Sequence, residues 1–259
     1  MPLEFTDIKG DPVWSGSSWK VVDDDDLARL IARVALGQSY FVERILKETG
    51  FAGPKAQENM LAGAIELLTA VNPDDPYHRD GWMFQVMSWI AAHLQNRTSL
   101  IREPHMIHAH KGFDGIHVKL NPDTKLVNFM VVCEEKATEN ARKMITGKVW
   151  PEFRSLEKAE RDHQLLSELI GLLRLHPDAN IDNAVEQIVW KDARSYRVSI
   201  TTEDGEDLEK TFRGYADVVP GEIERRRAEA LPVKDVRNWM AGIADKAIAY
   251  AEELATADV

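Results

Sequence analysis

The sequence has a single cysteine, Cys133, among its 259 residues, and it contains no long apolar run. One cysteine excludes a disulfide framework within the chain and is typical of proteins in a reducing compartment. A membrane-spanning helix needs about 18 or more consecutive apolar residues, and no segment approaches that length. An opening basic and apolar export signal is also missing. We therefore expect a cytoplasmic protein without a membrane span.

Positive charge is scarce as well, because 32 Lys and Arg residues are outnumbered by 43 Asp and Glu residues, which leaves a net charge of −11. A protein that grips nucleic-acid phosphates unaided normally presents a basic surface. The composition therefore predicts that any phosphate contacts are confined to a local basic patch or are supplied by a partner protein.

Two apolar strands joined by a turn occupy the stretch from His110 to Lys136. Asp114 opens the first strand, Asn-Pro-Asp-Thr forms the turn, and Glu134-Glu135-Lys136 ends the second strand. Side chains two apart in a strand point to the same face, so Glu134 and Lys136 project together while Glu135 points to the other face. Carboxylates at the end of a buried strand are costly to desolvate without a cation.

These residue types suit the hydrolysis of phosphodiester bonds with a divalent metal. Asp114 and Glu134 would hold Mg²⁺ or Mn²⁺, with the backbone carbonyl of Glu135 as a further ligand, because hard oxygen ligands select those ions. Such an ion neutralises phosphate charge and lowers the pKa of an attacking water. Lys136 would position that water or stabilise the developing charge. We therefore predict that Asp114, Glu134 and Lys136 are catalytic.

The register of the hairpin decides whether this site forms. With a two-residue turn, or a four-residue loop that starts at Asn121, Asp114 would face Val131 and lie on the opposite side of the sheet from the other two predicted catalytic residues. An odd-length loop or one β-bulge places all three on a common face, with Asp114 level with Val132. We therefore predict an odd loop or a bulge.

Histidines are concentrated just before the hairpin, at His105, His108 and His110. His108 and His110 would share a face of a strand, and a histidine-based metal site is one interpretation. Histidines that are hydrogen-bonded along a cleft are the other. No further cysteine or second histidine pair completes a four-ligand zinc set.

Helical and strand patterns alternate along the chain, which predicts a helix-rich, mixed α/β fold with a central mixed sheet of about four to five strands flanked by helices. We assign residues 1–79 to an N-terminal helical part, 80–202 to the core, and 203–259 to a C-terminal hairpin and helix, packed as one globular unit. Residues 82–94 are apolar on nearly every face, which predicts a helix against the sheet. Thr211 to Val219 is predicted as a strand of the C-terminal hairpin, and the acids at 23–26 as a helix cap.

An aspartate at the head of one strand, followed twenty residues later by Glu-x-Lys at the end of another, resembles the PD-(D/E)xK nuclease superfamily. More narrowly, LIREPHMIHAHKGFDGIHV followed by CEEK is similar to the HamA-type nuclease subunits of Hachiman antiphage defence. The resemblance covers residues 80 to 200. It implies a restriction-endonuclease-like αβββαβ core, metal-dependent DNA cleavage at Asp114, Glu134 and Lys136, and a superfamily 2 helicase as partner.

The chain departs from that pattern at one position. Nucleases of this superfamily often carry a glutamate on the helix before the first core strand, where this chain offers Gln85. Gln85 and His110 are therefore accessory candidates, and an upstream acid would have to come from elsewhere, for instance Glu66 or Glu103. A neutral amide is a poorer metal ligand than a carboxylate. A catalytically inactive interaction or regulatory subunit of a helicase complex is therefore the alternative function.

Candidate phosphate contacts lie near the hairpin and on the helix that follows it: Lys111, Arg142, Lys143 and Lys148. The densest basic run, Arg225 to Arg227, is either a further contact or a solvated helix face. The apolar helices serve either a core or an interface, so a homo-oligomer is compatible with the sequence.

Overall fold

The expected mixed α/β fold is confirmed by a computed structural model, which describes residues 1–10, 12–72, 74–108, 112–176, 179–189 and 193–256. In these ranges seven strands form one mixed sheet with helices on both faces. The strands are β1 (Leu3–Gly10), β2 (Trp14–Val21), β3 (Leu100–Ile101), β4 (Gly115–Leu120), β5 (Val127–Lys136), β6 (Arg194–Thr202) and β7 (Arg226–Pro232).

The strand order is β1-β2-β7-β6-β5-β4-β3. The central strands β2, β7, β6 and β5 are parallel, whereas β1 pairs antiparallel at one edge and β4 and β3 pair antiparallel at the other. The predicted number of strands was too low, because the N-terminal hairpin and β7 join the same sheet. Gly16 allows β2 to approach β7, since a Cβ there would lie 1.6 Å from the carbonyl oxygen of Ala228.

The helices of the described ranges cover both faces of the sheet, and none of them is both long enough and apolar enough to cross a membrane. They are α1 (Asp24–Ala35), α2 (Ser39–Lys47), α3 (Leu61–Leu68), α4 (Tyr77–Gln95), α5 (Ala141–Met144), α6 (Trp150–Glu157), α7 (Asp162–Leu173), α8 (Ile181–Val189), α9 (Leu208–Thr211), α10 (Tyr215–Val218) and α11 (Val236–Thr256). A π-helical segment, Ile145–Val149, joins α5 to α6, and short 3₁₀ turns occupy Glu58–Met60 and Ile223–Arg225.

Each face of the sheet carries its own apolar core. Helices α1, α3, α4 and α11 pack on one face, and helices α5 to α10 pack on the other. The predicted helix at 82–94 lies within α4 and is buried along most of its length, as its apolar character requires. The predicted cap is also confirmed, because the Asp23 side chain accepts a hydrogen bond from the Asp26 amide at 2.8 Å.

The predicted N-terminal helical part contains α1 to α3, and the β1–β2 hairpin precedes them. One local prediction is wrong. The strand predicted for Thr211 to Val219 is replaced by α9 and α10, because Asp207 caps α9 through the Lys210 amide at 3.1 Å and Phe212 and Tyr215 bury their rings at helical spacing. The strand that pairs with β6 on this side is β7, and it runs parallel.

Candidate active site

The three predicted catalytic side chains meet at one end of the β4–β5 hairpin. Asp114 immediately precedes β4, while Glu134 and Lys136 end β5. The Lys136 ammonium forms ion pairs with both carboxylates, directly with Asp114 and at 2.8 Å with Glu134. Residues twenty positions apart in the chain therefore share one charged cluster on one face of the sheet.

A β-bulge in the hairpin creates this common face, as predicted. Leu120 pairs with Val127, whereas Lys119 pairs with Phe129, so Asn128 is an extra residue in β5. Val127 and Met130 consequently face the same apolar core, which shows that the side-chain alternation of β5 reverses at the bulge. Without that reversal, the carboxylate at the end of β5 would point away from Asp114.

The position of the turn corrects one detail of the predicted register. Asn121 is still paired, through its amide with the Leu126 carbonyl at 2.8 Å, and its side chain accepts hydrogen bonds from the amides of Asp123 and Thr124 at 2.9 and 3.0 Å. The loop therefore occupies residues 122–125, one residue later than the four-residue loop that starts at Asn121. The pairing of Gly115 with Cys133 then places position 114 level with position 134 rather than with 132. The asparagine favours this turn because its side chain satisfies two loop amides.

Asp114 is held in place by contacts to its carboxylate and to its backbone. The carboxylate accepts a hydrogen bond from the Glu135 amide at 2.9 Å. The backbone carbonyl oxygen of Asp114 accepts a hydrogen bond from the side chain of Gln85, on α4, at 2.6 Å. Gln85 therefore contacts the site as an accessory residue, and its observed contact positions the backbone of Asp114.

Glu135 points to the opposite face, as strand alternation requires. Its Oε1 accepts a hydrogen bond from the Ser88 hydroxyl at 2.8 Å, and Ser88 also lies 3.1 Å from the Ser199 hydroxyl. A Cβ at position 115 would lie 3.2 Å from Oε1, so glycine leaves room for this carboxyl group. Within the described ranges, the buried Oε2 of Glu135 has no hydrogen-bond partner. This side of the site therefore retains one unsatisfied acid oxygen.

Burial dominates the electrostatics of the site. It raises the pKa of Glu134 to about 7, although Lys136 opposes the shift. Burial, followed by the charge of Asp114, raises the pKa of Glu135 to about 8. Burial lowers the pKa of Lys136, but the charges of Glu134 and Asp114 outweigh it and raise that pKa above its usual value. Lys136 is therefore a protonated ammonium beside acids that favour an additional cation.

The donor set fits Mg²⁺ or Mn²⁺ in its chemistry. Asp114 and Glu134 already share one cation, the Lys136 ammonium, and the backbone carbonyl of Glu135 stays a predicted oxygen ligand. In the described part of the chain, no three His, Cys, Asp or Glu side chains form a metal-ligating group. A divalent ion would therefore use two carboxylates with backbone oxygen and water, a set that Mg²⁺ accepts.

A cavity of about 490 Å³ opens beside the cluster. Three of the residues that line it, Glu152, Arg161 and Gln164, were not predicted from the sequence to lie near the site. They lie in α6, in the α6–α7 loop and in α7, and no spacing in the sequence links them to the hairpin. The cavity is lined by Gly112, Asp114, Glu134, Lys136, Met144, Lys148, Glu152, Arg161 and Gln164.

The predicted phosphate contacts have different surroundings. Lys143 and Lys148 are exposed, and Lys148 lines the cavity. Arg142 donates hydrogen bonds to the backbone carbonyls of Thr211 and Arg213 at 3.0 and 2.7 Å, so it anchors α9. The other candidates, Lys111 and the accessory His110, lie outside the described residues.

The basic run at 225–227 is engaged in internal contacts. Arg225 pairs with Glu157 at 2.8 Å, Arg226 donates to backbone carbonyls at 2.7 and 3.0 Å, and Arg227 forms an ion pair with Glu229. The prediction of a solvated helix face is therefore wrong, because Arg226 and Arg227 belong to the central strand β7.

The described residues contain no set of ligands that supports a histidine-based metal site. The backbone carbonyl of His105 accepts a hydrogen bond from the Trp82 indole at 2.6 Å, and a ring nitrogen of His108 lies 2.9 Å from the Leu67 carbonyl. The strand predicted through His108 is also wrong, since β3 ends at Ile101.

The suggested sources of an upstream acid lie away from the cluster. Glu103 accepts a hydrogen bond from the Ser39 hydroxyl at 2.7 Å, and Glu66 is exposed on α3. Neither residue lines the cavity that contains Asp114 and Glu134.

We expect the free energy of unfolding to fall as the pH rises from about 5 to about 8 in the absence of divalent metal. The ordinary glutamate pKa is 4.5, so the raised values of about 7 and about 8 mean that the native chain retains protons that the unfolded chain releases. The contribution to stability is full below the ordinary pKa and is lost as the pH passes the raised values. Each group changes stability by at most about 1.4 kcal/mol per pH unit.

Urea unfolding of the wild type and of Glu135→Gln in chelator, across that pH range, checks this prediction. Burial lowers the pKa of His93 to about 4 and lowers that of His117 well below its ordinary value, and both shifts have the opposite effect below pH 6.5. The difference between the two proteins is therefore the informative quantity. Glu135→Gln should remove the part of the pH-dependent loss of stability that is assigned to Glu135. Glu252→Gln, at an exposed position on α11, should leave that loss unchanged. Equal pH dependence in wild type and Glu135→Gln would contradict the prediction.

Comparison of the chain with profiles of known protein families gives no match, and comparison with curated proteins gives none.

Proposed function

We propose that the chain is a metal-dependent deoxyribonuclease that hydrolyses phosphodiester bonds. The observation that carries the proposal is the convergence of Asp114, Glu134 and Lys136 at the edge of an open cavity. Two acids and one lysine, held on adjacent strands, supply both metal ligands and a fixed positive charge. Phosphodiester hydrolysis requires both.

Each residue has a defined task in this reaction. Asp114 and Glu134 would hold Mg²⁺ or Mn²⁺, with the Glu135 carbonyl as a further ligand. The ion supplies charge neutralisation and a more acidic water. Lys136 keeps its proton on Nζ and stabilises the negative charge on the phosphate oxygens as water attacks phosphorus and the P–O bond to the leaving oxygen breaks. Gln85 keeps the Asp114 backbone in position.

The resemblance to PD-(D/E)xK nucleases, and to the HamA-type subunits of Hachiman defence, supports this function. The element order from α4 through β3, β4, β5 and the following helices to β6 agrees with the implied αβββαβ core. On this proposal a helicase of superfamily 2 delivers DNA to the site in the cytoplasm. That arrangement agrees with a net charge of −11, which disfavours independent capture of DNA.

The alternative is an inactive interaction subunit of the same helicase complex. One observation favours it: the Lys136 ammonium already pairs with both carboxylates, and Gln85 stands where the related nucleases often have an acid. A site neutralised internally could persist for structural reasons, because breaking a buried ion pair destabilises a fold.

Incubation of the purified chain with plasmid and linear DNA separates the two functions. The reaction is run with Mg²⁺ or with chelator, and with or without the proposed helicase partner. Cleavage that requires Mg²⁺ and increases with the partner is expected. If DNA stays intact in Mg²⁺ with the partner and ATP present, the inactive subunit is the correct interpretation.

A further inference from the structure

The cavity beside the acidic cluster has a second, basic side that the reaction described above does not use. It is formed by Lys148, on the helix after β5, and by Arg161 and Gln164 at the start of α7. We propose that these residues bind a backbone phosphate of the nucleic-acid substrate next to the cleaved one, and that Glu152 occupies this site when substrate is absent. The inference rests on the proposed nuclease function and specifies how that site holds its substrate.

The guanidinium of Arg161 is held by three neighbours. It donates a hydrogen bond from Nε to the Gln164 side chain at 2.7 Å, forms an ion pair with Glu152, and lies 4.5 Å from the centre of the Phe113 ring. Phe113 directly precedes Asp114, so the stacking contact fixes Arg161 next to the acidic cluster. The positive charge of Arg161 also opposes the increase in the pKa of Glu134 that burial causes.

The backbone around Arg161 is fixed as well. Asp162 pairs with the buried Arg194 at 3.0 Å, which ties the first turn of α7 to β6. In the preceding loop, the Glu160 amide donates to the Ser155 carbonyl at 3.1 Å, and the Ser155 hydroxyl donates to the Glu160 carboxylate at 2.8 Å. An arginine on such a loop keeps one orientation, which lowers the entropic cost of binding an anion.

Phosphate is the ligand that this chemistry recognises. A guanidinium presents a planar set of donors that matches phosphate oxygens in two-point contacts, as it does a carboxylate. The Glu152 carboxylate therefore stands where a phosphate would bind. Side chains of both partners remain partly exposed, 21% for Arg161 and 28% for Glu152. A substrate phosphate can therefore reach the guanidinium and compete with the Glu152 carboxylate for its donors.

The arrangement also explains how so acidic a chain contacts DNA. The acids Asp114 and Glu134, which belong to the β4–β5 hairpin region, line the cavity, and so do Lys148 and Arg161 from the helical segments. In a nucleic acid that crosses the cavity, the metal held by Asp114 and Glu134 would bind one phosphate. The adjacent phosphate would then lie at Lys148 and Arg161. Two basic side chains thus lie beside the reacting centre although the chain as a whole is acidic.

Binding of a small probe tests this site without any cleavage. Thymidine 3′,5′-bisphosphate is titrated into the full chain by calorimetry, in chelator and at low ionic strength. Arg161→Gln should weaken binding about tenfold, which equals about 1.4 kcal/mol, the typical size of one lost charge-assisted contact. Glu152→Gln should strengthen binding about threefold or more, because it removes the competing carboxylate.

Two matched controls make the comparison specific. Arg154→Gln removes the same charge from an exposed position on α6, and Glu186→Gln removes a carboxylate from an exposed position on α8. Neither residue lines the cavity, so both variants should bind the probe as the wild type does. Arg161→Lys, which retains the charge but loses the planar donors, should bind with intermediate affinity.

The Glu152 variant keeps the test decisive even if Arg161→Gln folds poorly. Probe binding that is unchanged in Glu152→Gln, or equal in Arg161→Gln and Arg154→Gln, overturns the inference, and so does a wild type that binds no probe. Cleavage assays give a separate result, in which Glu152→Gln should lower KM with kcat nearly constant. If the probe responds as expected but DNA stays uncut in Mg²⁺, the phosphate site is supported and the nuclease function is rejected.

Discussion

Replacement of Lys136 by alanine should abolish Mg²⁺-dependent DNA cleavage while the fold stays intact. The expected loss in kcat is about a hundredfold to a thousandfold or more, the range seen when a preorganised charge or donor is removed from a reacting centre. The ammonium lies within ion-pair distance of both Asp114 and Glu134, so its removal also leaves two neighbouring carboxylates without their shared cation. Glu134→Ala should cause a loss of at least the same size, because it removes a metal ligand.

Rates of plasmid nicking and of linear DNA degradation, measured with the partner present, give the required comparison. Lys9→Ala is the matched control, since Lys9 is exposed on the edge strand β1 and its removal changes the charge equally. Circular dichroism and thermal unfolding should show that the Lys136 and Glu134 variants fold. If both variants cut DNA at the wild-type rate, the proposed function is wrong.

Replacement of Glu229 by alanine should lower the free energy of unfolding by about 3–5 kcal/mol, the largest loss of stability among the variants described. Glu229 is 1% exposed and accepts hydrogen bonds from the Trp19 indole at 2.7 Å and from Arg197 at 2.9 Å. Arg227 and Gln95 contact the same carboxylate. Its removal leaves the buried Arg197 charge without its ion-pair partner and releases contacts among β2, β6, β7 and α4.

Urea unfolding at constant pH measures this loss. Glu229→Gln keeps the size of the side chain and one of its two acceptor oxygens, so it should lose less stability than Glu229→Ala. The difference between the two variants separates the lost charge from the lost packing. Glu252→Ala, on the exposed side of α11, should change stability by less than about 0.5 kcal/mol. A loss below about 1 kcal/mol in Glu229→Ala would mean that this buried network does not hold the sheet together.

The β4–β5 hairpin shows how much of the candidate site a local sequence pattern predicts. Side-chain alternation within one strand placed Glu134 and Lys136 on one face and Glu135 on the other, and the structure has both. The requirement that Asp114 join them predicted a bulge, which is present at Asn128. The level of Asp114 against β5 was predicted two residues too early, because the extent of pairing depends on how the Asn121 side chain organises the turn.

Long-range pairing was harder to predict from the sequence. The N-terminal stretch contains Gly, Pro and Ser, which are typical of irregular segments, yet it forms two strands because β7 provides a neighbour for β2. Arg226 and Arg227 resembled an exposed basic run, yet they belong to a central strand where Glu229 and backbone carbonyls satisfy them. A buried charge needs a partner, and the partner is identified only when distant strands are adjacent.

By itself, the sequence determined the mixed α/β class, the acid and lysine types at 114, 134 and 136, and the face to which each strand side chain points. These follow from composition and from backbone periodicity, which are properties of neighbouring residues. Only the tertiary structure decided that Arg161, Glu152 and Gln164 surround the same cavity, that Gln85 holds the backbone of Asp114, and that seven strands share one sheet. Those contacts join segments far apart in the chain, and their geometry is set by the packing of whole helices and strands rather than by any local pattern.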